Sequence, residues 1–180
     1  MKIKTRHFLP LLPLLAIFSV FLTACTSLNS DDISLLDTAN SGKISPIGET
    51  LYDWKDIQID GGDVEHTFSL KNSGEEDLIL KGAETSCMCT SATYLLPNGE
   101  TSTAFGMHNN TAWTYRIHPG EEFKVHVIFD PMAHGPEATG PVGRTVYLTT
   151  SSIPNGEFAK ENPRAPNSTI TELTLKANVL

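Results

Sequence analysis

The sequence contains few cysteines and few basic residues, and each shortage excludes a class of protein. Three cysteines occur in 180 residues, Cys25, Cys87 and Cys89, so this is no small scaffold held together by many disulfides. Lysine and arginine number 13 against 21 aspartates and glutamates, for a net charge of −8, which argues against nucleic acid as a partner. The catalytic motifs Gly-x-Ser-x-Gly and His-Glu-x-x-His are missing. We therefore expect a non-catalytic protein without a resident cofactor.

The one long apolar run extends from Phe8 to Leu22 and follows three basic residues. It is shorter than the ~20 residues that a membrane-spanning helix needs, and a small-residue sequence, Leu-Thr-Ala-Cys, follows it and ends at Cys25. This layout predicts a signal peptide over residues 1–24. The ending resembles the bacterial lipobox, which implies that Cys25 is lipidated and that the bond before it is cut. The alternative is an ordinary secreted protein cleaved after Ala24.

Residues 25–46 are rich in Ser, Asn, Asp and Thr, which predicts a flexible tether behind the lipidated Cys25. Loss of residues 1–24 would remove three basic and no acidic residues, so the net charge of −8 would fall to −11. Because so acidic a chain is not attracted to an anionic membrane, the lipid must provide the anchor. Thr26 stands where inner-membrane retention uses aspartate. We expect a cell-envelope protein, on the periplasmic face of the outer membrane if the cell has two membranes.

Residues 47–180 consist of short alternating apolar and polar segments separated by Gly, Pro and Asn, without helical periodicity. This pattern predicts an all-β sandwich of about seven strands. The expected strands are 64–71, 77–83, 123–129, 144–150 and 171–179, with weaker ones near Ile57 and Tyr94. Two stretches, Pro97–His118 and Pro154–Asn167, are predicted to be long loops.

Several short motifs of this region together resemble the DUF1573 family, and Ser86-Cys87-Met88-Cys89-Thr90 is the most specific. The others are Gly62-x-Val64-x-His66-x-Phe68, Lys71-Asn72-Ser73-Gly74, Pro119-Gly120-Glu121, Val127-x-Phe129-Asp130-Pro131 and Leu173-x-Leu175-x-Ala177. The resemblance, over residues 47–180, implies an immunoglobulin-like fold similar to major-sperm-protein and ASH-type domains. It also implies a bacterial envelope module with no established activity. The family usually has Gly at the position of Met88.

Cys87 and Cys89 are two residues apart, and three interpretations of the pair remain open. On an extended strand they would project from one face about 6.6 Å apart. A disulfide needs β-carbons ~3.8 Å apart, so it would require a sharp bend at Met88. The pair is a packed pair of small apolar residues, a redox-responsive disulfide, or two thiolate ligands for a soft metal.

The soft-metal hypothesis has further candidate ligands in neighbouring loops. Thiolate, thioether and imidazole groups suit monovalent copper. The candidates besides the two cysteines are Met88, His66, Met107, His108, Met132 and His134. For His66, which shares a strand face with apolar residues, a core histidine bonded to a backbone group is the preferred interpretation.

The aromatic side chains Trp113 and Tyr115 fall in a predicted long loop. Exposed there, they would form a contact surface, and folded back they would form a lid on the sandwich. The leading function is therefore a lipid-anchored envelope module that binds or scaffolds another envelope protein. Copper binding through Cys87 and Cys89 is the second hypothesis, and a thiol redox role is the third.

The lipid anchor gives the first testable prediction. We expect Cys25→Ser to abolish labelling by a radioactive fatty acid and to release the protein from the membrane fraction, because no other segment is expected to hold it there. Labelling and fractionation of cells that express each form measure both effects. Retention of the variant in the membrane fraction would contradict the anchor.

Overall fold

The computed structural model describes residues 43–108, 112–152 and 168–180. The predicted signal peptide, Cys25, most of the tether and the predicted loop at 154–167 lie outside the described residues. Nowhere in the described segments is there a helix with the length and apolar character needed to cross a membrane.

The described residues form ten strands and one short 3-10 helix, arranged in two facing sheets. The strands are β1 Ile44–Pro46, β2 Leu51–Ile57, β3 Val64–Asn72, β4 Leu78–Lys81, β5 Glu84–Thr85, β6 Thr90–Leu95, β7 Thr114–Ile117, β8 Glu122–Phe129, β9 Gly140–Ser152 and β10 Ser168–Val179. Sheet A has the order β1-β3-β8-β6. Sheet B has the order β2-β10-β9-β4-β7, and β5 also pairs with β9. The 3-10 helix spans Pro131–His134, directly after β8.

The predicted β-sandwich is confirmed, because the alternating segments form β3, β4, β8, β9 and β10 at the expected places. The two weaker segments become β2 and β6. The strand count exceeds seven since β1, β5 and β7 are too short to show alternation in the sequence. β1 also begins at Ile44, before the predicted domain start at residue 47, and pairs with β3.

The core consists of the inward side chains of both sheets. Phe68 and Phe129 of sheet A are each 2% exposed, and Leu175 of sheet B is 1% exposed. β8, which lies between β3 and β6, buries every second residue: Phe123, Val125, Val127 and Phe129. The apolar alternation therefore identified the faces that pack against each other.

The stretch from 97 to 118 is more ordered than a long loop, and that prediction is wrong in part. Its first half turns at Gly99 and folds back along β6, with bridges between Leu95 and Thr101 and between Ala92 and Phe105. Its last residues form β7, which pairs with β4. The reason is burial, because Phe105 is 1% exposed and joins the core. Residues 109–111 are outside the described part.

One buried amide, Asn72, fixes the turn between β3 and β4. Its Nδ2 donates to the carbonyl oxygens of Glu76 at 2.8 Å and Ile117 at 3.1 Å. Its Oδ1 accepts from the backbone N–H of Gly74 at 3.1 Å and of Lys43 at 3.3 Å. A fully buried amide is tolerated here because its donors and acceptor all have partners.

Core packing gives the second prediction. Phe68→Ala removes a ring from between the sheets and leaves a cavity, so it should lower the free energy of unfolding by about 3–5 kcal/mol. The matched control is Ile170→Ala, because Ile170 is 62% exposed. That change should stay within about 0.5 kcal/mol of the parent. Urea unfolding followed by tryptophan fluorescence measures both, and equal losses in the two variants would contradict the assigned face.

Candidate functional site

Cys87 and Cys89 lie in a turn, Ser86–Thr90, that we call the cysteine turn. β5, before it, pairs with β9 of sheet B, whereas β6, after it, pairs with β8 of sheet A. The chain therefore changes sheets here and cannot stay extended. The N–H of Thr90 donates to the carbonyl oxygen of Cys87 at 3.2 Å, and the two cysteine Cα atoms are 5.3 Å apart. In the structure a disulfide joins them, which is the second of the three interpretations.

Thr85 holds the cysteine turn from inside. Its side chain is buried, and its Oγ1 contacts the carbonyl oxygens of Cys87 at 2.9 Å and Thr90 at 3.1 Å. These two carbonyl groups stand at the two sides of the bend, so one hydroxyl stabilises the turn geometry. Nothing in the sequence pattern indicates this role, because a threonine next to a strand is common.

His134 reaches the disulfide from the 3-10 helix. Asp130 starts that helix by accepting the N–H of Met132 at 2.8 Å, and its own N–H donates to the carbonyl oxygen of Cys89 at 2.9 Å. The helix is thus tied at its start to the cysteine turn. The Nε2 atom of His134 lies 3.2 Å from the Sγ atom of Cys87. The His134 ring is exposed and Cys87 is half-buried, so solvent molecules reach this side of the disulfide.

Arg144 contacts the other sulfur from sheet B. Its Nε donates to the Sγ atom of Cys89 at 3.0 Å, and its Nη1 donates to the carbonyl oxygen of Gly143 at 2.8 Å. The guanidinium also lies 5.6 Å from the ring centre of Phe129, in cation-π contact. Burial lowers the pKa of Arg144, but a guanidinium starts so far above neutral pH that it stays charged. Sequence reasoning missed this residue.

The two sulfurs therefore have different surroundings. The accessible one, on Cys87, faces an imidazole, and the buried one, on Cys89, faces a cation. A thiolate that attacks Cys87 would release Cys89 as a thiolate next to Arg144, which stabilises it. In the reduced state the same atoms would offer two thiolates and one imidazole. The ligand atoms of Cys87, Cys89 and His134 lie within 4.8 Å of one another.

His66 lies elsewhere, on β3, and does not join the cysteine group. Its ring stacks on Tyr52 with centres 3.6 Å apart and meets the edge of Phe68 at 4.5 Å. Its Nε2 is 3.8 Å from a carboxylate oxygen of Glu49. Burial lowers the pKa of His66, and Glu49 partly opposes this shift. The contacts described for His66 are this aromatic stacking and Glu49, rather than the predicted backbone hydrogen bond.

The three methionines predicted as ligands lie on segments joined to the cysteine turn. Met88 is at its tip and is 76% exposed. Met107 follows Gly106, whose carbonyl oxygen accepts the N–H of Thr85 at 3.3 Å, and Met132 is in the 3-10 helix. Their exposed fractions are 37% and 39%. His108 is exposed and does not belong to the group of Cys87, Cys89 and His134.

Trp113 and Tyr115 are half-buried and pack against the core instead of standing free on a loop. The Trp113 ring stacks on the buried Tyr94 with centres 5.3 Å apart and lies 5.5 Å from Phe105. Tyr115, in β7, stacks on Trp113 at 6.4 Å. This arrangement corresponds to the predicted lid, and it leaves little of either ring for a contact surface.

The two facing sheets define an immunoglobulin-like β-sandwich. The sequence profile of DUF1573, described as a protein of unknown function, matches residues 46–105, which confirms the predicted resemblance over one third of the chain. The matched segment contains the cysteine turn, whereas Arg144 and His134 lie beyond it. No curated protein matches the chain in sequence.

Solved structures similar to this chain include bacterial and animal proteins. A protein of unknown function from Porphyromonas gingivalis W83 is 16% identical, with a TM-score of 0.49 over 78% of this chain and 48% of that one. This chain thus spans about half the length of that protein. An ASH/PapD-like domain of human CEP192 is 13% identical, with a TM-score of 0.43 over 78% of this chain and 87% of that one. WR4, a Caenorhabditis elegans MSP family member, is 10% identical, with a TM-score of 0.41 over 78% and 99%.

The asymmetry of the disulfide gives the third prediction. Arg144→Met removes the cation that stabilises the leaving thiolate of Cys89, so reduction by dithiothreitol should slow about tenfold, as loss of a charged hydrogen bond of about 1.5 kcal/mol implies. Alkylation of the released thiols followed by mass spectrometry measures the rate. Arg116→Met is the matched control, because it also removes an arginine with one short contact, but that contact is an ion pair of 2.8 Å with Asp77 and not with a sulfur. A similar rate in both variants would contradict the role given to Arg144.

Proposed function

We propose that this protein is a non-catalytic binding module of a bacterial cell envelope, held to a membrane by lipid on Cys25. Its contact surface is the methionine end, which consists of Met88, Met107 and Met132. The observation that carries this proposal is the exposure of these three thioether side chains on segments that hydrogen bonds join into one end of the sandwich. The partner is another envelope protein that presents an apolar segment.

Methionine suits such a surface for a physical reason. Its side chain is unbranched and polarizable, so it adapts to an apolar partner without one fixed geometry. Leaving three of them in water has a cost that burial against a partner would recover, at roughly 25 cal/mol per Å² of apolar area. Met88 contributes most, because it is 76% exposed at the tip of the cysteine turn. Clustered exposed apolar side chains mark contact surfaces more often than scattered ones.

The sheet edges are less suited to binding than the methionine end. β1 and β7 have only three and four residues, and residues 101–105 fold along part of β6. β2 is longer, but Lys55 has a positive φ of 66° and forms an ion pair of 2.8 Å with Asp53. Short, irregular and charged edges disfavour the addition of a partner strand. Contact through loops is therefore the better-supported mode.

One polar group on the sheet surface is similar to a catalytic triad, but its geometry supports a structural role and so the non-catalytic function proposed above. Thr67 Oγ1 lies 3.2 Å from His126 Nδ1, and His126 Nε2 lies 3.4 Å from a carboxylate oxygen of Glu65. These residues stand on neighbouring strands, β3 and β8, and Thr67 and His126 are a direct cross-strand pair. Cross-strand pairs of this kind stabilise a sheet. The hydrogen bonds of the described residues give this group no pair of N–H donors aimed at a developing oxyanion.

The methionine end gives the fourth prediction. A photo-crosslinking amino acid at position 88, 107 or 132 should capture one and the same envelope protein in living cells, as judged by mass spectrometry of the crosslinked product. The matched control is position 170, because Ile170 is also exposed but pairs with Thr149, four residues along β9 from Thr145, whose carbonyl oxygen accepts the N–H of Ser86. Different products at the three sites, or the same product at position 170, would contradict the proposal.

A further inference from the structure

We propose that the reduced form of the cysteine turn is a copper(I) site, with the sulfurs of Cys87 and Cys89 and the Nε2 atom of His134 as ligands. The disulfide form then cannot bind the metal, because both sulfurs are bonded to each other and neither is a thiolate. This inference stands on other residues than the proposed partner surface and does not depend on it.

The ligand atoms are already assembled before any metal binds. Nε2 of His134 is 3.2 Å from Sγ of Cys87, and the three ligand atoms lie within 4.8 Å of one another. Two ligands come from one turn fixed by Thr85, and the third comes from a helix whose start is hydrogen-bonded to that turn. A metal ion would therefore gain its ligands with little rearrangement of the backbone.

The charges in contact with the ligand atoms favour a monovalent ion. Two thiolates and a neutral imidazole carry two negative charges, and Arg144, whose Nε is 3.0 Å from Sγ of Cys89, adds one positive charge. One further positive charge from copper(I) makes this group neutral, whereas a divalent ion would leave it positive. The carboxylate of Asp130 keeps its negative charge, but it accepts the N–H of Met132 and does not belong to the group of ligand atoms.

The number and kind of ligands point to the same metal. Soft thiolates select copper(I) and zinc, but a structural zinc site is almost always tetrahedral with four protein ligands, and a zinc site with three protein ligands adds a water as the fourth. Three soft ligands without a fourth therefore suit copper(I) better. Within the described residues the group of clustered cysteine, histidine and acidic ligands has three members. Cys87 is half-buried and His134 is exposed, so this side of the turn is accessible to a copper carrier.

Opening the site requires two electrons and two protons, which a dithiol reductant supplies. One thiolate of the reductant attacks Sγ of Cys87, the S–S bond breaks, and Cys89 leaves as a thiolate beside Arg144. The second thiol of the reductant then displaces Cys87 and the reductant becomes a disulfide. Copper(I) binds the two sulfurs in place of their protons, which pass to solvent.

The test is an anaerobic titration with copper(I), in competition with bicinchoninate, of the purified chain lacking residues 1–25, so that no free Cys25 thiol remains to bind the metal. We expect the reduced protein to take one copper(I) per chain from the chelator and the oxidised protein to take none. X-ray absorption of the copper-loaded protein should show two sulfurs and one nitrogen as ligands. This measurement uses the unmodified site and needs no variant. Equal binding by the oxidised protein, or a copper site with other ligands, would overturn the proposal.

Two matched histidine variants separate the ligand from its neighbours. His134→Asn should weaken copper(I) binding at least about tenfold, since even the loss of a group behind a metal ligand costs that much. His108→Asn, at an exposed histidine outside the group, should leave the affinity unchanged. Circular dichroism checks that both variants are folded. An equal loss in both, or no loss in His134→Asn, would remove His134 from the site.

Zinc provides the remaining comparison. In competition with equimolar zinc(II), the reduced protein should retain copper(I), and retention of zinc instead would overturn the charge argument. A failed crosslinking experiment at the methionine end would leave the copper titration unaffected, and a failed titration would leave the crosslinks unaffected. The two proposals can therefore fail separately.

Discussion

The antiparallel pairing of β6 with β8 is the constraint on which the rest of the site depends. In this register Thr90, the first residue of β6, lies opposite Phe129, the last residue of β8. The segment before β6 and the segment after β8 must therefore meet at one end of sheet A. The first is the cysteine turn and the second is the 3-10 helix that carries His134. The buried face of β8 holds this register, because a slip of one residue would turn its apolar side chains outward.

Sheet B supplies the second half of the site because the cysteine turn is also where the chain changes sheets. β5 pairs with β9 through Thr85 and Val146. Arg144 is two residues before Val146 on β9, so it lies beside the start of the cysteine turn. A bend was needed at this crossing, and the bend brings two cysteine sulfurs together that an extended strand would hold apart. The change of sheets thus accounts both for the disulfide and for the cation beside it.

The disulfide and the methionine end lie at the same end of the molecule and suit two different proposed functions. Met88 at the tip faces solvent, while Cys89 behind it is 4% exposed. An exposed apolar tip suits contact with another protein, and a sulfur pair whose half-buried member, Cys87, lies beside an imidazole suits redox and soft-metal chemistry. A partner seated on the methionine end would cover the access to Cys87. Under the two proposals, a bound partner would therefore restrict the access of a reductant to the turn.

Alternation along the chain determined the β-sandwich, its main strands and the core residues on those strands, because every second side chain of a strand faces the same way. The small number of cysteines and the motif Ser86-Cys87-Met88-Cys89-Thr90 singled out Cys87 and Cys89, which are two residues apart. Only the tertiary structure decided which residues surround them. His134 is 47 residues from Cys87 and Arg144 is 55 residues from Cys89. Contacts across strands and between sheets follow from register and from the crossing of the chain, and residue spacing encodes neither.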